Sequence, residues 1–217
     1  MIALIAVLVA LDFGARAFAE SKVASEIQDQ GFPKKPDVSI NGFPFLTQVA
    51  SRDMKSIDIS STDVPVGPVT IHLINAKLDG VHINSSFNGA TVDTLTGTAQ
   101  ITFGDLSNSL ENEVGPLGSL GGAGLTLKPA GPDEVKASLD LLVTSGSATW
   151  KVAKLGGDKI NIRLVSSNGL PSELLDSVKN ITVPLTGLPL HLKIESVSVT
   201  PAGIVGVLGG QDVTFGG

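Results

Sequence analysis

Apolar and polar residues change their period several times along the chain, and each change predicts an element. Ile2 to Leu11 form an uninterrupted apolar run, IALIAVLVAL. From Ala15 to Gln30 the period is helical: Ala15, Ala19, Val23 and Ile27 recur on one face, with Glu20, Lys22, Glu26 and Asp29 off it. Gly31-Phe32-Pro33 stops that helix. Asp37 to Ile40 reads as a short strand, and Gly42-Phe43-Pro44-Phe45-Leu46 opens a short helix reaching about Arg52. Met54 to Asp63 alternates as a half-buried strand does. A longer strand is expected from Val69 to Ile83, interrupted by a bulge at Asp79-Gly80.

The second half continues in the same idiom. Thr91 to Phe103 reads as strand, and Gly104 to Glu113 switches to helical spacing through Leu106 and Leu110. A glycine-rich loop occupies 115–124. Strands are expected at 124–128, 134–145, 147–155 and 159–166, with Gly156-Gly157-Asp158 turning a hairpin between the last two. Pro171 to Lys179 predicts a short helix with proline at its start. Two strands, about 188–200 and 203–215, close the chain around Pro201-Ala202. Many strands with a few short helices make the fold class α+β, dominated by antiparallel sheet. Val64-Pro65 before His72-Leu73 is echoed by Val183-Pro184 before His191-Leu192, which suggests a diverged tandem of helix-plus-sheet halves.

The length, 217 residues, suits one domain, taken as 20–217 behind a leader at 1–19. With 42% hydrophobic and 17% charged residues, intrinsic disorder is excluded. A net charge of -6, no Tyr and one Trp argue against nucleic acid as a partner: neither a basic face nor base-stacking platforms are supplied. The absence of Cys removes disulfides, thiolate nucleophiles and zinc–thiolate sites. The apolar run is too short for a membrane span of about 20 residues but suits the core of a signal peptide. Ala17 and Ala19 stand at -3 and -1 of a cut before Glu20, although a retained anchor fits as well. No basic residue precedes Ile2, which suggests a natural leader that starts further upstream.

Catalytic motifs are not found. His72, His82 and His191 all fall in predicted strands, with no Gly-x-Ser-x-Gly elbow, and read as residues of a sheet face. There is no His-Glu-x-x-His, and Asp53, Asp58 and Asp63 are spaced by five rather than on alternate positions of a calcium loop. The loop 115–124 lacks the Gly-Lys-Ser/Thr of a phosphate cradle, so it is a lip beside a pocket or a plain connection. Neither a cofactor nor a metal is expected, and the protein is read as a non-enzyme. What remains is apolar content with few aromatics. It either lines a channel for acyl ligands or packs together as core.

Three stretches taken together carry a resemblance. They are the leader with Asp12-Phe13-Gly14-Ala15-Arg16-Ala17-Phe18-Ala19-Glu20, the segment Pro36-Asp37-Val38-Ser39-Ile40-Asn41-Gly42-Phe43-Pro44-Phe45-Leu46-Thr47-Gln48, and Val92 to Leu106 (VDTLTGTAQITFGDL). In their order, and over about 12–217, the chain resembles the actinobacterial LmeA-type phospholipid-binding family. Gly-Phe-Pro-Phe-Leu-Thr is the most specific part. The resemblance implies a curved antiparallel sheet wrapped on a long amphipathic helix, similar to tubular lipid-binding domains. It also implies an extracytoplasmic protein of the cell envelope, at a membrane surface, that holds phospholipid in an apolar cavity and serves lipid transfer or envelope lipid and lipoglycan maintenance.

Apolar walls alone can hold a lipid, since burying an acyl chain is worth about 0.8 kcal/mol per methylene. Phe43, Phe45, Leu46, Leu106 and Leu110, on short helices able to gate an opening, are the candidate lining residues. Lys34 and Lys35 are candidates to meet anionic headgroups, or are a solvated loop. The competing reading is a ligand-free structural or assembly protein that docks on a partner at the membrane.

Overall fold

The computed structural model of the chain describes residues 2–29, 32–66, 69–113, 124–140, 145–156, 159–170, 175, 179–184 and 193–216. The first element, α1 (Ile2–Asp29), joins the apolar run and the amphipathic segment into one helix. The sequence shows no loop between them, only a possible cut before Glu20. Nothing between them breaks a helix, because no proline intervenes, Gly14 stands in open space, and the Asp12 side chain is engaged outside α1. After α1 come β1 (Asp37–Asn41), α2 (Phe45–Ser51), β2 (Asp53–Val66), β3 (Val69–Ile83), β4 (Gly89–Thr102) and α3 (Phe103–Glu113). Then follow β5 (Gly124–Gly131), β6 (Glu134–Asp140), β7 (Ser145–Leu155), β8 (Lys159–Asn168), β9 (Asn180–Pro184), β10 (Lys193–Thr200) and β11 (Gly203–Gly216). Strand β9 was not foreseen. The expected helix at 171–179 and most of the loop 115–124 lie outside the described residues.

The fold is α+β: among the described residues there are two antiparallel sheets, one long N-terminal helix and two short ones. One sheet has six strands in the order β1-β2-β3-β4-β11-β10, and the other is a five-stranded meander, β5-β6-β7-β8-β9. They meet where β10 packs against β5 and β7. There the Val199 N–H donates to the Pro132 carbonyl at 2.7 Å, a backbone bond between the two layers. In the internal echo, Val64-Pro65 closes β2 rather than opening a strand, and His191-Leu192 lies outside the described residues.

The expected bulge at Asp79-Gly80 is replaced by a different device. Pairing of β3 with β2 and with β4 runs through without a slip: Ser56↔Asp79 and Met54↔Val81 on one side, Asp79↔Thr94 and Val81↔Val92 on the other. What changes is which residues face inward. Leu78, Ala76 and Ile74 are buried on one side of Gly80, and Val81 on the other, so the inward parity shifts by one. The same shift occurs between Val92 and Leu95 on β4, and between Leu208 and Val213 on β11. Positive φ at Gly80 (64°) and Asp212 (50°) supplies the local twist. Further shifts lie between Ile71 and Ile74 on β3 and, on β2, between Ser56 and Ile57 and between Ser61 and Val64, so the two-residue alternation runs in short stretches between kinks.

The face of α1 carrying Ala15, Ala19, Val23 and Ile27 packs on the main hydrophobic cluster, as the spacing predicts. That cluster centres on Val92 and Leu95, both fully buried. A second cluster, Leu127, Val135, Val152 and Val199, fills the five-stranded layer, with Phe103 and Leu106 of α3 against it. Thr102 starts α3: its hydroxyl accepts the Asp105 N–H at 3.1 Å and donates to the Asp105 carboxylate at 2.6 Å.

Candidate functional site

Where the two layers meet, an apolar cleft opens along the inner face of the larger sheet. Its walls are Ile71 of β3, Ala99 and Ile101 of β4, Ile194 and Val197 of β10, and Ile204, Gly206 and Leu208 of β11, with Val66 and Val69 at the hairpin end. Ile160 of β8 closes it from the other sheet. Every lining residue is aliphatic or glycine. Pairing explains the hollow: Ile101 stands opposite Ile204, but Ala99 stands opposite Gly206, so two small residues face the space where larger chains would meet. Several walls are only half-buried, unlike Val92 and Leu95 at the centre of the core. Ile160 and Val197 belong to the margins of both hydrophobic clusters, which makes this cleft the seam between them.

The cavity volume is about 40 Å³, room for a few water-sized groups. A space of this size is too small for an acyl chain while the layers stay closed along this seam. The main direct attachments there are the β10 contacts and side-chain packing, rather than a shared ladder.

The residues singled out from sequence fall elsewhere. Phe45 is a core residue at 4% exposure, and Leu106 is half-buried in the second cluster. Phe43 and Leu46 are exposed, 63% and 46%, at the end of the molecule where α1 leaves the domain. Leu110 belongs to α3, and its side chain lies outside the described part. None of the first four lines the cleft. Strand alternation was the available signal for the walls of this cleft, but it marks an inward face without saying whether that face is filled.

The lysines and histidines with their carboxylate partners lie on the surface. Lys34 pairs with Asp63 and Lys35 donates to Ser21 Oγ at 2.9 Å, so both lysines are engaged within the fold. The Lys34 hydrogen bond holds the Asp63 carboxyl below the usual carboxylate value. His72, half exposed, has Nδ1 3.8 Å from Asp63 and 3.7 Å from Asp105. His82 stands between Asp53 at 3.4 Å and Asp93 at 3.1 Å. These are histidine–carboxylate pairs on a sheet face, each partner screened by solvent. No group of three or more metal-ligating side chains converges among the described residues.

The carboxylate of Asp12, 5% exposed, reaches out of α1 to accept the backbone N–H groups of Phe45 at 2.9 Å and Leu46 at 2.8 Å. Farther along α1, Glu20 accepts the Ile40 N–H at 2.8 Å and pairs with Arg16. Asp12 to Ile27 is thereby fixed to the sheet, whereas Ile5, Val7, Leu8 and Leu11 are exposed. Among the described residues no helix is long and apolar enough to cross a membrane.

No curated protein and no solved structure matches this chain. A family model does, described as LmeA-like phospholipid-binding, over residues 10–208. That span takes in the docked part of α1, both sheets and every wall of the apolar seam, and the chain belongs to the LmeA-like phospholipid-binding family.

Proposed function

We propose that the protein is a non-enzymatic phospholipid carrier of the cell envelope, exported across the plasma membrane, that holds acyl chains in the seam between its two sheets. The observation that carries this reading is the seam itself, walled by aliphatic residues and glycine where both hydrophobic clusters meet. Each methylene moved from water into such walls contributes about 0.8 kcal/mol, so a single chain needs no polar anchor. Headgroups stay outside, at the margin of the seam. Lipid transfer between envelope membranes, or maintenance of envelope lipids and lipoglycans, follows as the task of such a carrier.

The narrowness of the seam favours a second reading, in which the layers never part and the protein docks on a membrane partner without ligand. Native mass spectrometry of the full chain, purified without detergent, separates the two. Phospholipid masses that leave on denaturation support the carrier. A clean protein mass that persists after incubation with phospholipid vesicles overturns it and leaves the docking protein. Gly206→Leu is the matching variant. A Cβ at this position meets nothing closer than 3.9 Å, so the added side chain enters the seam without striking backbone. Lipid masses should fall at least tenfold in this variant, with the thermal midpoint unchanged or raised.

A further inference from the structure

The first part of α1, before Asp12, is apolar on every side. Successive helical residues turn by about 100°, so Val7, Leu11, Leu8 and Ile5 spread over roughly 160° of the circumference, all four 55–59% exposed, and the opposite side is taken by Ala3, Ala6 and Ala10, which are also exposed. A protein groove covers one face of a helix and would leave the rest in water. Only a medium that surrounds the helix satisfies such a pattern. The charged residues begin at Asp12, which is buried in the domain rather than carried outward. A second apolar point stands beside the exit of the helix. Phe13 stacks on Phe43, ring centroids 6.1 Å apart, and Phe43 and Leu46 are exposed there.

We propose that α1 is retained uncleaved, and that its apolar part, with Phe43 and Leu46 beside it, inserts into a lipid bilayer. A cut before Glu20 would remove Asp12, Ala15 and Ala19, which cap α2 and pack on the main cluster. The family match, which starts at residue 10, also includes them. The domain then sits fixed against the headgroups, held by a helix that is continuous with its core. The inference rests on the reading of the protein as one that works on phospholipid, and it is independent of the seam.

The chain has no cysteine, so a single introduced one is a unique label. The full chain is labelled with an environment-sensitive fluorophore at Leu8→Cys, Phe43→Cys or the exposed Lys154→Cys, then mixed with phosphatidylcholine vesicles. Emission should shift to the blue at the first two and stay unchanged at the third, with little dependence on salt because no charge pairing is involved. Val7→Asp with Leu8→Asp should lower vesicle partitioning at least tenfold without moving the thermal midpoint. Gly206→Leu should partition normally while losing its lipid cargo, and cargo retained in this variant would tell against the seam alone, leaving the insertion untouched. Unshifted emission at both 8 and 43 overturns the insertion. An intact mass beginning at Glu20, for protein exported with its own N-terminus, overturns the retention.

Discussion

The carboxylate of Asp12 caps the helix that begins at Phe45, accepting the Phe45 N–H at 2.9 Å and the neighbouring Leu46 N–H at 2.8 Å. Helix α2 has no cap of its own, because Pro44 stands at its N-cap position and offers no side-chain acceptor. The cap arrives from 33 residues earlier in the chain, and it ties α1 to α2 with two charge-assisted bonds in a buried place.

Asp12→Ala leaves two buried donors unmet and should cost about 1–3 kcal/mol. Asp12→Asn keeps one acceptor oxygen and should cost less. Urea unfolding followed by circular dichroism measures both. A loss below half a kcal/mol for the alanine variant would mean that water replaces the carboxylate and that α1 is not fixed at this point.

The distance of that contact shows what the sequence holds and what it hides. Local periods were legible: the four-residue recurrence of Ala15, Ala19, Val23 and Ile27 does place α1 on the core, and alternation in β2, β3 and β4 gave those strands their places. Asp12 read only as the end of an apolar run, because its partners are set by tertiary packing and leave no local trace. The kink at Gly80 was legible as an irregularity, yet its form depends on partner strands that kink with it. Phe43, Phe45 and Leu46 drew attention as a compact apolar motif. The cleft is instead assembled from six strands, and its hollow comes from Ala99 meeting Gly206 across more than a hundred residues.

Two glycines separate soft from rigid obstruction. At Gly80, φ 64°, a Cβ would lie 2.1 Å from the Asp93 carboxylate oxygen, the far end of a side chain that can turn away. At Gly203, φ 150°, it would lie 2.1 Å from the Ile101 carbonyl, part of the paired β4 backbone. Gly80→Ala should cost about 1–2 kcal/mol for its positive φ. Gly203→Ala should cost more, because the β4–β11 ladder must shift. Unfolding midpoints for the two variants decide the order, and equal losses would show that the ladder yields as easily as a carboxylate.

Acid should act on the Lys34–Asp63 pair in a defined direction. The hydrogen bond from Lys34 depresses the Asp63 carboxyl below its ordinary value of 3.8. A depressed folded value contributes stability that is present above 3.8 and lost as pH falls through the folded value. Lys34→Met should therefore differ from the parent by a small, constant amount at neutral pH and converge with it below about pH 4. Lys77 behaves in the opposite sense: its bond to Asp79 raises it above 10.5, so that contribution fades only in strong alkali. Unfolding free energies for the Lys34 variant that stay parallel to the parent down to pH 2 would show that the pair does not couple to folding.

Truncation separates the walls of a binding seam from the packing of a core. Leu95 is fully buried beneath the six-stranded sheet, so Leu95→Ala opens a cavity among tightly packed neighbours and should cost about 2–5 kcal/mol. Ile160 is half-buried at the seam, where space already exists, and Ile160→Ala should cost about 1 kcal/mol or less. Binding should run the other way. Leu95→Ala leaves the walls intact and should keep its lipid once folded, whereas Ile160→Ala widens the only wall supplied by β8 and should change which chain lengths co-purify. Chemical denaturation gives the first ranking and lipid profiling of the purified proteins the second. If Ile160→Ala is as destabilising as Leu95→Ala and leaves the profile untouched, the seam is core and the two layers stay closed.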